Sequence, residues 1–166
     1  DKVRILDGVV PPALLQRLRG GLSPGSAFWR EHFYPTPQFF SYFYDLERPP
    51  STAIEELIQY LRPVVKRVYP EAAEATCAEW WCHLRGSDSW HGHPLHFDMD
   101  ERGLVHTRWI RAVHPLVSTV VFLSQPNNTC HGPTTIFDQC IGGHVARRAF
   151  QVFPQVGRVC FFPGDL

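Results

Sequence analysis

Two periodicities divide the chain. Ala53, Ile54, Leu57, Ile58 and Leu61 recur at a spacing of three and four, which lines one face of a helix. Ser51 and Thr52 precede this run, and Glu55 and Glu56 fall in its first turn, where the helix dipole favours carboxylates. Pro63 ends or kinks the helix, with Val64, Val65 and Val68 available for a further turn. An earlier, shorter helix is predicted over 11–19, opened by the preset dihedral of Pro11-Pro12 and closed by Gly20-Gly21. Between the two helices, residues 26–48 are rich in Phe and Tyr and broken by Pro35 and Pro37, which suits irregular or edge-strand structure.

From Glu79 onward the apolar runs shorten and are punctuated by Gly, Pro and Asn. Strands are predicted over 79–85, 95–99, 116–124, 134–137, 149–153 and 158–162. No helix-length pattern lies between them, so a mostly antiparallel sandwich or barrel is favoured over alternating βαβ units. The expected fold class is mostly β, α+β by content. It forms a single domain over residues 1–166, with a helical, aromatic-rich support in 1–75 and a β core in 76–166.

Composition narrows the partners. Sixteen basic and sixteen acidic residues cancel, and the sequence pI near 7.3 gives no electrostatic reason to expect nucleic acid, which needs a clustered positive surface. No apolar stretch approaches the roughly 18 residues that span a bilayer, so no membrane span is expected. The five cysteines, Cys77, Cys82, Cys130, Cys140 and Cys160, lack the paired spacing of a zinc knuckle. They suit reduced, mostly buried thiols in an intracellular, reducing compartment. The glycine pairs lack the setting of a phosphate loop, and no Gly-x-Ser-x-Gly elbow is present.

The chemistry concentrates in His91-Gly-His93-Pro-Leu-His96-Phe-Asp98-Met-Asp100-Glu101. In an extended strand residues i and i+2 share a face, so His96 and Asp98 present an imidazole and a carboxylate side by side while Phe97 turns away. Those are two members of the two-His, one-carboxylate triad that holds Fe(II) on one side and leaves the opposite positions open. The other histidines, taken singly, fit satisfied core or surface positions.

Beyond this segment, Glu79-Trp80-Trp81, the string His96-Phe97-Asp98-Met99-Asp100-Glu101, the run from His114 to Val120, Gly132-Pro133-Thr134-Thr135 and the run from Gly157 to Phe162 occur in an order that resembles the 2-oxoglutarate and Fe(II)-dependent dioxygenases of the prolyl-hydroxylase-like branch. The resemblance covers about residues 79–166. It implies a double-stranded β-helix, or jelly roll, buttressed by N-terminal helices. It also implies His96 and Asp98 as iron ligands, with Fe(II) and 2-oxoglutarate as cofactors. The implied activity is hydroxylation of a peptide side chain or small molecule through a ferryl intermediate. Glu79, Trp81, Ser118 and Thr119 are the neighbours from which partners orienting the ligands are sought. The family's second His and its 2-oxoglutarate-binding basic residue follow the strand at 158–162, so both are expected past Leu166, with His144 a poorer substitute.

Two other readings are open. A catalytically inactive jelly roll could serve a structural or protein-interaction role, since a fold alone does not carry a function. A cupin-like Zn or Mn site could draw on His91, His93 and His96.

Overall fold

The computed structural model describes residues 2–32, 41–84, 94–100, 113–124 and 132–166. These form two compact units, Val10–Trp90 and Asp1–Val9 with His91–Leu166.

In the Val10–Trp90 unit, helix α1 (Pro12–Gly21) and helix α3 (Ala53–Val68) flank a short helix α2 (Ala27–Glu31) and strand β2 (Tyr42–Asp45). A 3-10 turn (Pro70–Glu74) then leads into strand β3 (Cys77–Trp80). Helix α3 starts where the sequence places it, because Thr52 and Glu55 form a reciprocal cap. The Thr52 hydroxyl accepts from the Glu55 amide at 3.2 Å, and the Glu55 carboxylate accepts from the Thr52 amide at 3.1 Å. The helix runs past Pro63 to Val68. Its side chains grip the segment after β2, with Gln59 and Arg62 both donating to the Leu46 carbonyl, at 2.8 and 3.0 Å. Leu14, Leu18, Leu57 and Leu61 are the buried positions of the two long helices, and Arg17 pairs with Glu56 at 2.6 Å.

Three expectations shift in this unit. Helix α1 continues through Gly20 and Gly21, and the Leu22 amide closes its last turn on the Leu18 carbonyl at 2.9 Å. The aromatic-rich stretch contains a helix, α2, besides an edge strand. Strand β3 lies earlier than expected, paired antiparallel with β2 from Tyr42↔Trp80 to Asp45↔Cys77.

The second unit is built on antiparallel sheets. Strand β1 (Arg4–Leu6), strand β4 (Val117–Val121) and strand β7 (Val159–Pro163) form one sheet in the order β1-β7-β4. Strands β5 (Thr134–Phe137) and β6 (Ala149–Val152) form another. The first four residues of β7 are buried, as expected for a central strand covered on both faces. Cys160 and Phe162 on one face join Val3, Ile136, Val152 and Leu166 in an apolar cluster, with Val120, Phe122, Cys140 and Phe150 packed against it. Both sheets therefore contribute to one core. Burying a side chain the size of Phe161 or Val159 contributes roughly 1.5–3 kcal/mol.

Strands β5 to β7 fall within one residue of their expected positions, and β4 lies inside its expected range but ends three residues early. The fold is mixed, with helices and several antiparallel sheets. Residues 95–99 depart from expectation, since they carry no strand assignment. Side-chain rings bond to the main chain here: the His96 ring to the Pro94 carbonyl and the His114 ring to the Asp98 carbonyl. Just beyond them, the Asp100 amide donates to the Val113 carbonyl at 2.8 Å.

The thiols also depart from expectation. Of the four described, Cys160 is buried, Cys77 is exposed, and Cys82 and Cys140 lie between. Among the described residues no helix is long and apolar enough to cross a membrane.

Candidate functional site

His96 and Asp98 project to the same side of their segment, with His96 Nε2 3.3 Å from Asp98 Oδ1. The alternation inferred from the sequence survives without a strand, because an extended backbone is enough to bring residues i and i+2 together. The other end of the imidazole is fixed: Nδ1 lies 2.8 Å from the Pro94 carbonyl oxygen. A carbonyl can only accept, so Nδ1 carries the hydrogen, and in the neutral ring Nε2 then presents a lone pair toward Asp98.

The carboxylate is fixed as well. Ser118 on β4 donates its hydroxyl to Asp98 Oδ2 at 2.5 Å, within the range of a charge-assisted O–H···O⁻ bond. His114 donates from Nδ1 to the main-chain oxygen of Asp98 at 2.8 Å, and its ring meets that of Phe97 edge-on with centroids 6.3 Å apart. Ser118 is 6% exposed and stands opposite Phe162 in the β4–β7 register. Partners directly opposite share a face, so Asp98 meets the sheet on the face that carries the apolar cluster. The site is graded in exposure, with the Asp98 side chain 18% and the His96 side chain 45% accessible.

The remaining candidates separate. Ser118 reaches Asp98, whereas its neighbour Thr119 lies on the opposite face of β4 and is exposed. Glu79 and Trp81 belong to the Val10–Trp90 unit, where Glu79 accepts from the Ser41 hydroxyl and the Trp81 indole donates to His83 Nε2 at 2.9 Å. His144 is an exposed loop residue. His91 and His93 lie outside the described residues. The contribution of His114 was missed from the sequence. The resemblance places it at the head of the β4 run, but nothing in that run signals a ring bonded to a distant main-chain oxygen.

Chemically, a nitrogen and an oxygen donor are held side by side, each backed by a hydrogen bond on its far atom. Two ligands about 2.1 Å from one cation are about 3.0 Å apart at neighbouring octahedral positions and about 3.4 Å apart in a tetrahedron, and the observed 3.3 Å lies between these. Among the described residues no group of three His, Cys, Asp or Glu side chains converges.

These features define a chain of mixed helices and antiparallel sheets with a His-x-Asp pair at the edge of a sheet-backed core. Compared with family models, curated proteins and solved structures, it matches none.

Proposed function

We propose that the chain is an Fe(II)- and 2-oxoglutarate-dependent dioxygenase acting on a protein side chain or a small molecule, with its antiparallel sheets forming part of a jelly roll. The observation that carries this reading is the His96–Asp98 pair, with Nε2 and Oδ1 at 3.3 Å and the far atoms Nδ1 and Oδ2 bonded to Pro94 and Ser118. A ligating imidazole characteristically donates its other ring N–H to a carbonyl, and a ligating carboxylate is itself hydrogen-bonded. The residues present fit a divalent cation. In support of the jelly roll, two antiparallel sheets contribute to one apolar cluster, and the pair adjoins that core through Ser118.

On this reading His96 and Asp98 would hold the iron. Iron with 2-oxoglutarate, when bound, supplies the oxidising power for hydroxylation. The protein's part is to keep the two ligand atoms on one side of the cation and leave the other side open to cosubstrate, oxygen and substrate. Partial burial of Asp98 restricts water at its end of the site, while the more exposed His96 lies toward the approach for substrate. The second His and the basic residue that the reading requires are to be sought outside the described residues.

The test is succinate production by the full chain supplied with Fe(II) and 2-oxoglutarate. His96→Ala and Asp98→Ala are each expected to abolish it, and a rate unchanged in both variants rejects these residues as ligands. Failure of the wild-type chain to bind iron, together with a stable protein partner in a pull-down, favours the inactive module. Elemental analysis showing resident Zn or Mn favours the cupin-like site.

A further inference from the structure

Asp98 is referenced twice to one short stretch of chain. The His114 ring holds its main-chain oxygen, and four residues later the Ser118 hydroxyl holds Oδ2. These contacts differ in consequence, because only the second acts on the carboxylate. A carboxylate can bind a cation through one oxygen or through both. The choice depends on what the second oxygen is doing.

Here Oδ2 lies 2.5 Å from the hydroxyl of a residue only 6% exposed, on a strand whose register is set by five consecutive pairs with β7. Oδ1 is the oxygen turned to His96. Resting on the reading of His96 and Asp98 as ligands, we infer that Ser118 is a positioning residue that keeps Asp98 a one-oxygen ligand. It thereby preserves a coordination position for an exogenous molecule. For Asp98 to chelate through both oxygens, the carboxylate would have to swing so that Oδ2 turned from β4 toward the cation. That motion breaks the Ser118 bond and leaves a buried hydroxyl without its acceptor. A water-filled surface site would lack this restraint, since solvent would replace the lost partner. The burial of Ser118 makes the restraint directional.

Mn(II) is the probe, bound to the full chain. Free Mn(II) measured by electron paramagnetic resonance gives the affinity, and line broadening in ¹⁷O-enriched water counts the waters on the bound ion. Ser118→Ala is expected to lower that count by about one, as Oδ2 takes a position that water held. Ser118→Thr, which keeps the hydroxyl, is expected to restore the wild-type count. Ser118→Cys keeps the side-chain volume with a weak donor and is expected to behave as alanine does, which guards against a packing defect in the alanine variant. A purely structural role for Ser118 would alter the melting temperature without changing the water count.

An unchanged count in both Ser118→Ala and Ser118→Cys overturns the inference alone, provided Asp98→Ala and His96→Ala abolish Mn(II) binding. Mn(II) binding that persists in those two ligand variants overturns the reading of the site, and the inference falls with it.

Discussion

At the scale of single residues, burial divides the thiols by reactivity. Burial pushes the Cys160 thiol up to about 11 and the Cys82 thiol up to about 12, whereas Cys77 is exposed. The thiolate is the reactive form, and at pH 8 a thiol with a pKa near 11 is ionised in about one molecule in a thousand. Iodoacetamide at pH 8 is therefore expected to alkylate Cys77 first and to reach Cys160 only on unfolding, as read by peptide mass spectrometry. Equal labelling of the two in the native chain would contradict the packing around β7. The pairing of His96 with Asp98 was legible from the sequence because it depends only on a two-residue repeat. The Ser118 contact depends on where β4 lies relative to residues 94–100. The sequence could therefore name it only among four neighbours, and the His114 contact not at all.

At the scale of elements, the legible parts were those whose signals are local. The reciprocal cap of Thr52 and Glu55 marks the start of α3, and Thr52→Ala is expected to cost about 1 kcal/mol, measurable as a lower urea midpoint. Strands β4 to β7 were legible because each is a short apolar run between turn residues. The 3-residue β1 was missed, since its alternation is too short to register and its partner lies at the far end of the sequence: Arg4 pairs with Phe161. Helix α2 was missed because five aromatic-rich residues without a side-chain cap bond give no periodic signal. Just after β7, a side chain at Gly164 would collide with the carbonyl and ring of Pro115. Gly164→Ala is expected to destabilise the chain by about 1–3 kcal/mol, the usual range for overpacking. Because Pro115 follows His114, it should also disturb the bond from His114 to Asp98, visible as a shift of the His114 ring resonances. An alanine variant with wild-type stability and resonances would show that this approach is not tight.

At the scale of the whole molecule, the ends of the described chain are tied together. Arg158 Nε and Nη2 donate to the two oxygens of Asp7 at 2.8 and 2.9 Å. The same guanidinium also donates to the Phe153 carbonyl and the Gln155 side chain, at 2.9 and 2.8 Å. The Arg158 hydrogen bonds hold the Asp7 carboxyl below its ordinary value of 3.8. A depressed folded pKa contributes stability that is present above the unfolded value and is lost as pH falls through the folded one. The difference in urea midpoint between wild type and Asp7→Asn is thus expected to be steady near neutrality and to close as the pH drops below 3.8. A difference that persists or widens in acid would contradict the pairing. Asp7 is 45% exposed at its side chain, so water and salt screen the pair and the effect should be modest.

The order of strands in the three-stranded sheet has a further consequence for biosynthesis. The central strand, β7, is the latest of the three to leave the ribosome, and β1 is the earliest. Residues 10–90 are contiguous, so they can collapse while translation continues. Residues 4–6 cannot pair with β7 until 159–163 have cleared the exit tunnel. The scaffold behind His96 and Asp98 is thus completed only once β7 has emerged, and a nascent polypeptide stalled before β7 would carry both side chains without the sheet that backs them.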